Sequence, residues 1–147
     1  MSASEMASTL LKSIEAGEMV AAAKLMSDGF MFSGPVPQPI SGTEWLAMHE
    51  KLHAAFPDWR FNLSDLHEHG GQIHGTIQIS GTNKGSLDLS SIGMPTIPAT
   101  GKSIKLPKEE LTFTSENGKL ASLSVAPVAG GGVMGILGQL GVKVPAL

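Results

Sequence analysis

Cysteine and tyrosine are absent from all 147 residues, and arginine occurs once, at Arg60. Without cysteine the chain has no disulfide framework, no thiolate nucleophile and no thiolate metal site. One arginine, scattered lysines and a net charge of −3 form no basic patch for a phosphate backbone, so no nucleic-acid partner is expected. No apolar run approaches the roughly 18 residues of a membrane span. The opening MSASEMASTLLKSIEAGE also lacks a basic leader with an apolar core. These absences predict a soluble, cytoplasmic protein with no membrane partner.

What remains is a globular composition. Hydrophobic residues make up 41% and charged residues 16%, and 18 glycines with 9 prolines point to many turns. The length predicts one domain over residues 1–147, large enough to bury a sizeable core. Ser2 with Glu5, and Ser41 with Glu44, are spaced as capping boxes, which mark two helix starts. The first helix stops at Gly17, and a second is predicted over about Glu18 to Ser27. Phe30-Met31-Phe32 reads as a brief strand closed by the loop from Gly34 to Pro39. The third helix carries Trp45, Met48, Leu52 and Phe56 on one side at three- and four-residue steps, with His49 inside that stripe and His53 at its border.

Beyond Pro57 the period changes to strands: about Arg60 to His69, Gln72 to Thr82, Ser86 to Leu89, Lys102 to Leu106, Glu109 to Ser115 and Leu120 to Ala126. Gly70-Gly71 and Asn117-Gly118 are two-residue hairpin signals, and Ser91 to Gly101 reads as a long exposed loop. Helices first and strands afterwards predict an α+β packing, with a mostly antiparallel sheet folded around the helices. A two-residue Gly-Gly turn sets His67 opposite His74 and Asp65 opposite Thr76. A two-residue Asn-Gly turn sets Glu110 opposite Val125.

At this point the chain resembles the nuclear transport factor 2-like superfamily, in its SnoaL-like polyketide cyclase branch. The residues that carry the resemblance are Leu25 to Gly34, Ala54 to Phe61, the Gly70-Gly71 hairpin, Ser80 to Gly85, Gly93-Met94-Pro95 with Thr100-Gly101-Lys102, Asn117 to Leu120, and Ile136 to Gly141. The resemblance implies a cone-shaped, curved sheet wrapped around three N-terminal helices, an apolar pocket, and a homodimer joined through the sheets. Members include cyclases, isomerases, dehydratases, epoxide hydrolases and binding modules without catalysis, so fold alone does not choose among them. In the cyclase branch the last strand ends in a Trp-Asp pair whose Asp is the acid/base. The matching positions here are Ser124 and Val125, which removes that carboxylate. Ketosteroid isomerase-like chemistry is disfavoured too, because its oxyanion hole uses a tyrosine.

Two readings follow. One is a cofactor-free enzyme that moves a proton on a small hydrophobic carbonyl compound, with His49, His53 or Asp28 as catalytic groups. Phe32, Trp45, Met48, Leu52, Trp59 and Phe113 would line its site. The other is a non-catalytic dimeric module that binds an apolar molecule. His49 and His53 lack a third metal ligand, so no metal site is expected. Glu110 is a candidate replacement carboxylate. Asp28 otherwise serves a turn, Asp58 with Arg60 a surface ion pair, and His67 with His74 an exposed rim. Gly130 to Gly135 spells GxGxxG, but too few residues follow to complete a dinucleotide-binding unit.

Overall fold

The computed structural model describes residues 2–34, 38–90 and 95–142. Helix α1 (Ala3–Glu15) starts on the predicted capping box of Ser2 with Glu5 and stops at Gly17, whose φ of +76° suits glycine. The second helix is short: α2 covers Met19–Ala23, and strand β1 (Met26–Ser33) begins where the sequence predicts more helix. Pairing with the last strand overrides local helix propensity here. Asp28-Gly29, just past the predicted helix end at Ser27, falls instead where the β1 register shifts between Met26 and Met31. After a two-residue strand β2 (Ile40–Ser41), helix α3 (Gly42–Ala55) starts on the capping box of Ser41 with Glu44.

Five longer or shorter strands follow from the hairpins: β3 (Ser64–His69), β4 (Gln72–Ile77), β5 (Ser80–Thr82), β6 (Ser103–Lys105) and β7 (Glu109–Glu116). Strand β8 (Lys119–Val125) and helix α4 (Gly132–Gln139) complete the described elements. The main sheet is curved and unclosed, in the order β2-β1-β8-β7-β4-β3, and only the β1–β8 pair is parallel. β5 and β6 pair separately. The predicted strand at Ser86–Leu89 reduces to one bridge, Leu87 with Ile97, and both side chains are buried, so this part of the expected exposed loop is core. Pro35, Val36 and Pro37 of the predicted proline loop, and Ser91 to Met94 of the later one, lie outside the described residues.

The register gives the sheet two distinct faces. Phe32, Leu123, Phe113 and Ile73 form one cross-sheet row, with Val125, Leu111 and Gly75 in the next; all are buried, and of their strands β1 packs against α3 while β4 and β8 pack against α1. The outer face carries Met31, Ser122, Thr114, Gln72 and His69 in one row and Ser33, Ser124, Thr112, His74 and His67 in the next. His67 does lie opposite His74, as the Gly-Gly turn predicts. One residue further the register slips: Ser64, not Asp65, faces Thr76, and Asp65 takes φ +54° in the bulge. The expected Asp58–Arg60 ion pair does not form, since Asp58 accepts hydrogen bonds from the Thr82 N–H (2.6 Å) and hydroxyl (2.8 Å).

Candidate functional site

Between α3 and the inner sheet face lies an apolar cavity of about 70 Å³. Helix α3 contributes Trp45, Met48, His49 and Leu52, and the corner after Pro57 contributes Trp59 and Phe61. The sheet supplies Phe32, Ile77, Glu109, Leu111, Leu123 and Val125, while Gly132, Val133 and Ile136 of α4 close one side. The wall follows from periodicity: one face of a helix at 3.6 residues per turn meets alternate residues of the strands. Val125, where the resemblance sets a carboxylate, presents an isopropyl group to this cavity.

His49 sits inside a ring of aromatics. Its centroid is 4.5 Å from Trp45, 5.9 Å from Trp59 and 5.7 Å from Phe61. Nδ1 lies 2.9 Å from the Trp45 carbonyl oxygen. A carbonyl only accepts, so Nδ1 carries the proton and Nε2 keeps the lone pair. Burial removes water from the ring and lowers its pKa to about 4, although the Trp45 carbonyl favours the charged form. The imidazole is therefore neutral at pH 7.

The carboxyl group in the wall is Glu109. Near the Asn117-Gly118 turn the pairing is as expected, with Glu116 facing Lys119 and Ser115 facing Leu120. The register then shifts by one residue, so that Leu111, not Glu110, faces Val125. Glu110 is exposed on the outer side, and Glu109, which alternates with Leu111 and Phe113, turns inward and is only 2% exposed. Burial raises its pKa, while the backbone N–H of Gly132 at the first turn of α4 draws it the other way. Glu109 Oε1 has no hydrogen-bond partner, and neither does the buried Nε1 of Trp59. Among the described residues these are the two buried side-chain polar atoms left unpaired, and both residues line this one cavity. Sequence reasoning missed Glu109 although the alternation Glu109-Leu111-Phe113 holds the signal for it.

The cavity brings together His49, Phe32, Trp45, Met48, Leu52 and Trp59 of the sequence-predicted site residues. It does not include His53, Asp28 or Phe113. The His53 ring sits on Gly17, where a Cβ would come within 2.8 Å of its Cε1, so it packs the turn after α1. Asp28 is exposed on the far side of β1, beside Asn117 and Lys119. Phe113 is fully buried core, paired with Ile73 and Leu123. No group of three or more His, Cys, Asp or Glu converges to hold a metal among the described residues. No helix of these residues is long and apolar enough to cross a membrane.

Comparison with known proteins gives this geometry a family. Over 95% of the chain and 92% of its counterpart, the fold is similar to that of a candidate SnoaL-like polyketide cyclase from Jannaschia sp. CCS1, with a TM-score of 0.72 at 13% identity. It is similar to IdmH of Streptomyces antibioticus, a candidate polyketide cyclase, at TM-score 0.69 and 18% identity over 95% and 98% of the two chains. TsrD of Streptomyces laurentii aligns at TM-score 0.68 and 20% identity over 95% and 94%. At such identities the likeness concerns the fold. No curated protein sequence matches the chain. The profile of the SnoaL-like domain matches residues 7–123, and the chain belongs to that family, within the nuclear transport factor 2-like fold.

Proposed function

We propose that the chain binds a small hydrophobic carbonyl compound in this cavity and moves a proton on it without a cofactor, as a cyclase-, isomerase- or hydrolase-type enzyme. One observation carries the reading: both unpaired buried polar atoms, Trp59 Nε1 and Glu109 Oε1, belong to the wall of a single apolar cavity. Leaving a buried donor or acceptor unsatisfied costs about 1–3 kcal/mol each. A ligand that accepts from one and bonds to the other removes that cost, while its apolar body fills the aromatic wall. The neutral His49 adds a lone pair at Nε2 and no charge.

The replacement of the family's carboxylate position by Val125 favours a second reading, a non-catalytic module that binds the same class of molecule. In either reading the chain is proposed to be a cytoplasmic homodimer joined through the outer sheet face. Titration of the intrinsic tryptophan fluorescence with a panel of cyclic ketones and naphthols tests the site, because Trp45 and Trp59 are the two tryptophans and both line it. A saturable change with at least one compound is expected. No response across the panel overturns the binding reading, and binding without turnover selects the module.

A further inference from the structure

We infer that Glu109 is the residue that takes and returns the proton, with the Trp59 indole N–H holding the carbonyl oxygen of an enolisable ketone. This inference rests on the functional reading above. The other candidates are set aside by position or by burial. His53 packs on Gly17 and Asp28 faces outward, so neither reaches the cavity. His49 is enclosed by Trp45, Trp59 and Phe61 with its Nδ1–H on the Trp45 carbonyl, and burial lowers its pKa to about 4. Its Nε2 is therefore a weak base at neutral pH, and the imidazolium that proton uptake would form has no anionic partner in the ring of aromatics.

Glu109 has the geometry the task requires. Its place on the inward parity of β7 puts the carboxyl in the wall beside Leu111, and Oε1 is buried without a partner. The other side of the carboxyl is held in place. A Cβ on Gly131 would come within 3.2 Å of Glu109 Cδ and Oε2, so the missing side chain there lets the backbone entering α4 lie against the carboxylate. The Gly132 N–H steadies the charged form from that side. One oxygen is thus fixed and the other is free. Trp59 Nε1 is a donor only, and an indole N–H stabilises negative charge on oxygen without giving up its proton.

The step balances without a further reactant. Glu109 Oε1 removes a proton from the carbon next to the carbonyl; the C–H bond breaks and an O–H bond forms. The C–H electron pair becomes the C=C bond of an enolate, and the carbonyl π pair moves onto the oxygen facing Trp59. Return of the proton to the same or a conjugated carbon restores the carboxylate.

The test follows deuterium exchange at the α-carbon of 2-tetralone in D₂O by NMR, with tryptophan fluorescence reporting the binding of 2-naphthol as an enol mimic. The wild-type protein is expected to accelerate exchange, and Glu109→Gln to lose about 100-fold or more of that acceleration while still binding 2-naphthol. Exchange that survives in Glu109→Gln overturns the assignment and leaves the functional reading intact. Binding of 2-naphthol with no exchange by wild type overturns proton transfer, and with it the role of Glu109. Absence of both overturns the pocket reading itself. Should Glu109→Gln not fold, carboxyl-carbon NMR of wild type labelled in glutamate decides: the Glu109 signal must move on addition of 2-naphthol, and an unmoved signal sinks the inference.

Discussion

A neutral histidine enclosed by Trp45, Trp59 and Phe61 ties the stability of the protein to pH. The His49 pKa is about 4 in the folded chain, against about 6.5 in the unfolded one. Between those values the unfolded chain binds a proton that the folded chain refuses, so stability rises with pH across that window. His49 stability is therefore fully present above pH 6.5 and lost as pH falls toward 4, a change of about 3 kcal/mol. Glu109 acts in the opposite sense. Its raised pKa means the folded chain holds a proton that the unfolded one releases, so its contribution is present below pH 4.5 and lost as pH rises above that. Urea unfolding at several pH values between 4 and 7 checks both. Wild type should weaken on acidification, His49→Gln should flatten the dependence, and Glu109→Gln should steepen it. A Glu109→Gln stability unchanged from pH 7 to 4.5 contradicts the buried neutral imidazole.

At the scale of elements, α4 is the wall whose attachment matters most. The Gln139 side chain pairs with the backbone of Lys105 through two bonds, accepting from its N–H at 2.8 Å and donating to its carbonyl at 2.7 Å. Lys102 donates to the Leu140 carbonyl at 3.2 Å, satisfying one carbonyl that the helix end leaves free. The other end of α4 rests on Glu109 through glycines. A cavity of about 70 Å³ has room for only a few waters, so a ring-sized ligand enters by displacing part of its wall. Gln139→Ala should lower stability by about 1 kcal/mol and speed ligand association in stopped-flow fluorescence; an unchanged association rate places the entrance elsewhere.

These same elements mark where the sequence stops being legible. The capping boxes at Ser2 and Ser41, the aromatic stripe of α3 and the two tight turns all read through, because each is set by residues within a few positions of one another. The single-residue slips beyond both hairpins do not, because bulges are set by how the whole sheet curves. One of those slips exchanged Glu110 for Glu109 in the cavity wall. Likewise α2 ended early because Met26 pairs with Leu120, nearly a hundred residues away.

At the scale of the whole molecule, the outer face of the sheet has the character that the proposed homodimer needs. Its central rows are made of serine, threonine and histidine, with Met31 42% exposed at one edge and the stacked His67 and His74 rings 5.5 Å apart toward the other. Hydroxyl groups there partly satisfy one another, as in the 2.6 Å Thr114–Ser122 bond, so the face tolerates water and also offers short polar side chains that allow close approach of a second sheet. Few long charged side chains interrupt those rows, and a symmetric partner would bring each position near its own copy around the two-fold axis. The proposed homodimer therefore predicts sedimentation at twice the 15.3 kDa chain mass. Ser124 is exposed at the centre of the face, opposite Thr112 and Ser33. Ser124→Lys should set like charges against each other across the axis and shift the protein to monomer, leaving the cavity on the opposite face and its tryptophan fluorescence unchanged. A wild-type chain that sediments as a monomer at micromolar concentration, or a Ser124→Lys variant that stays dimeric, moves the interface away from this face.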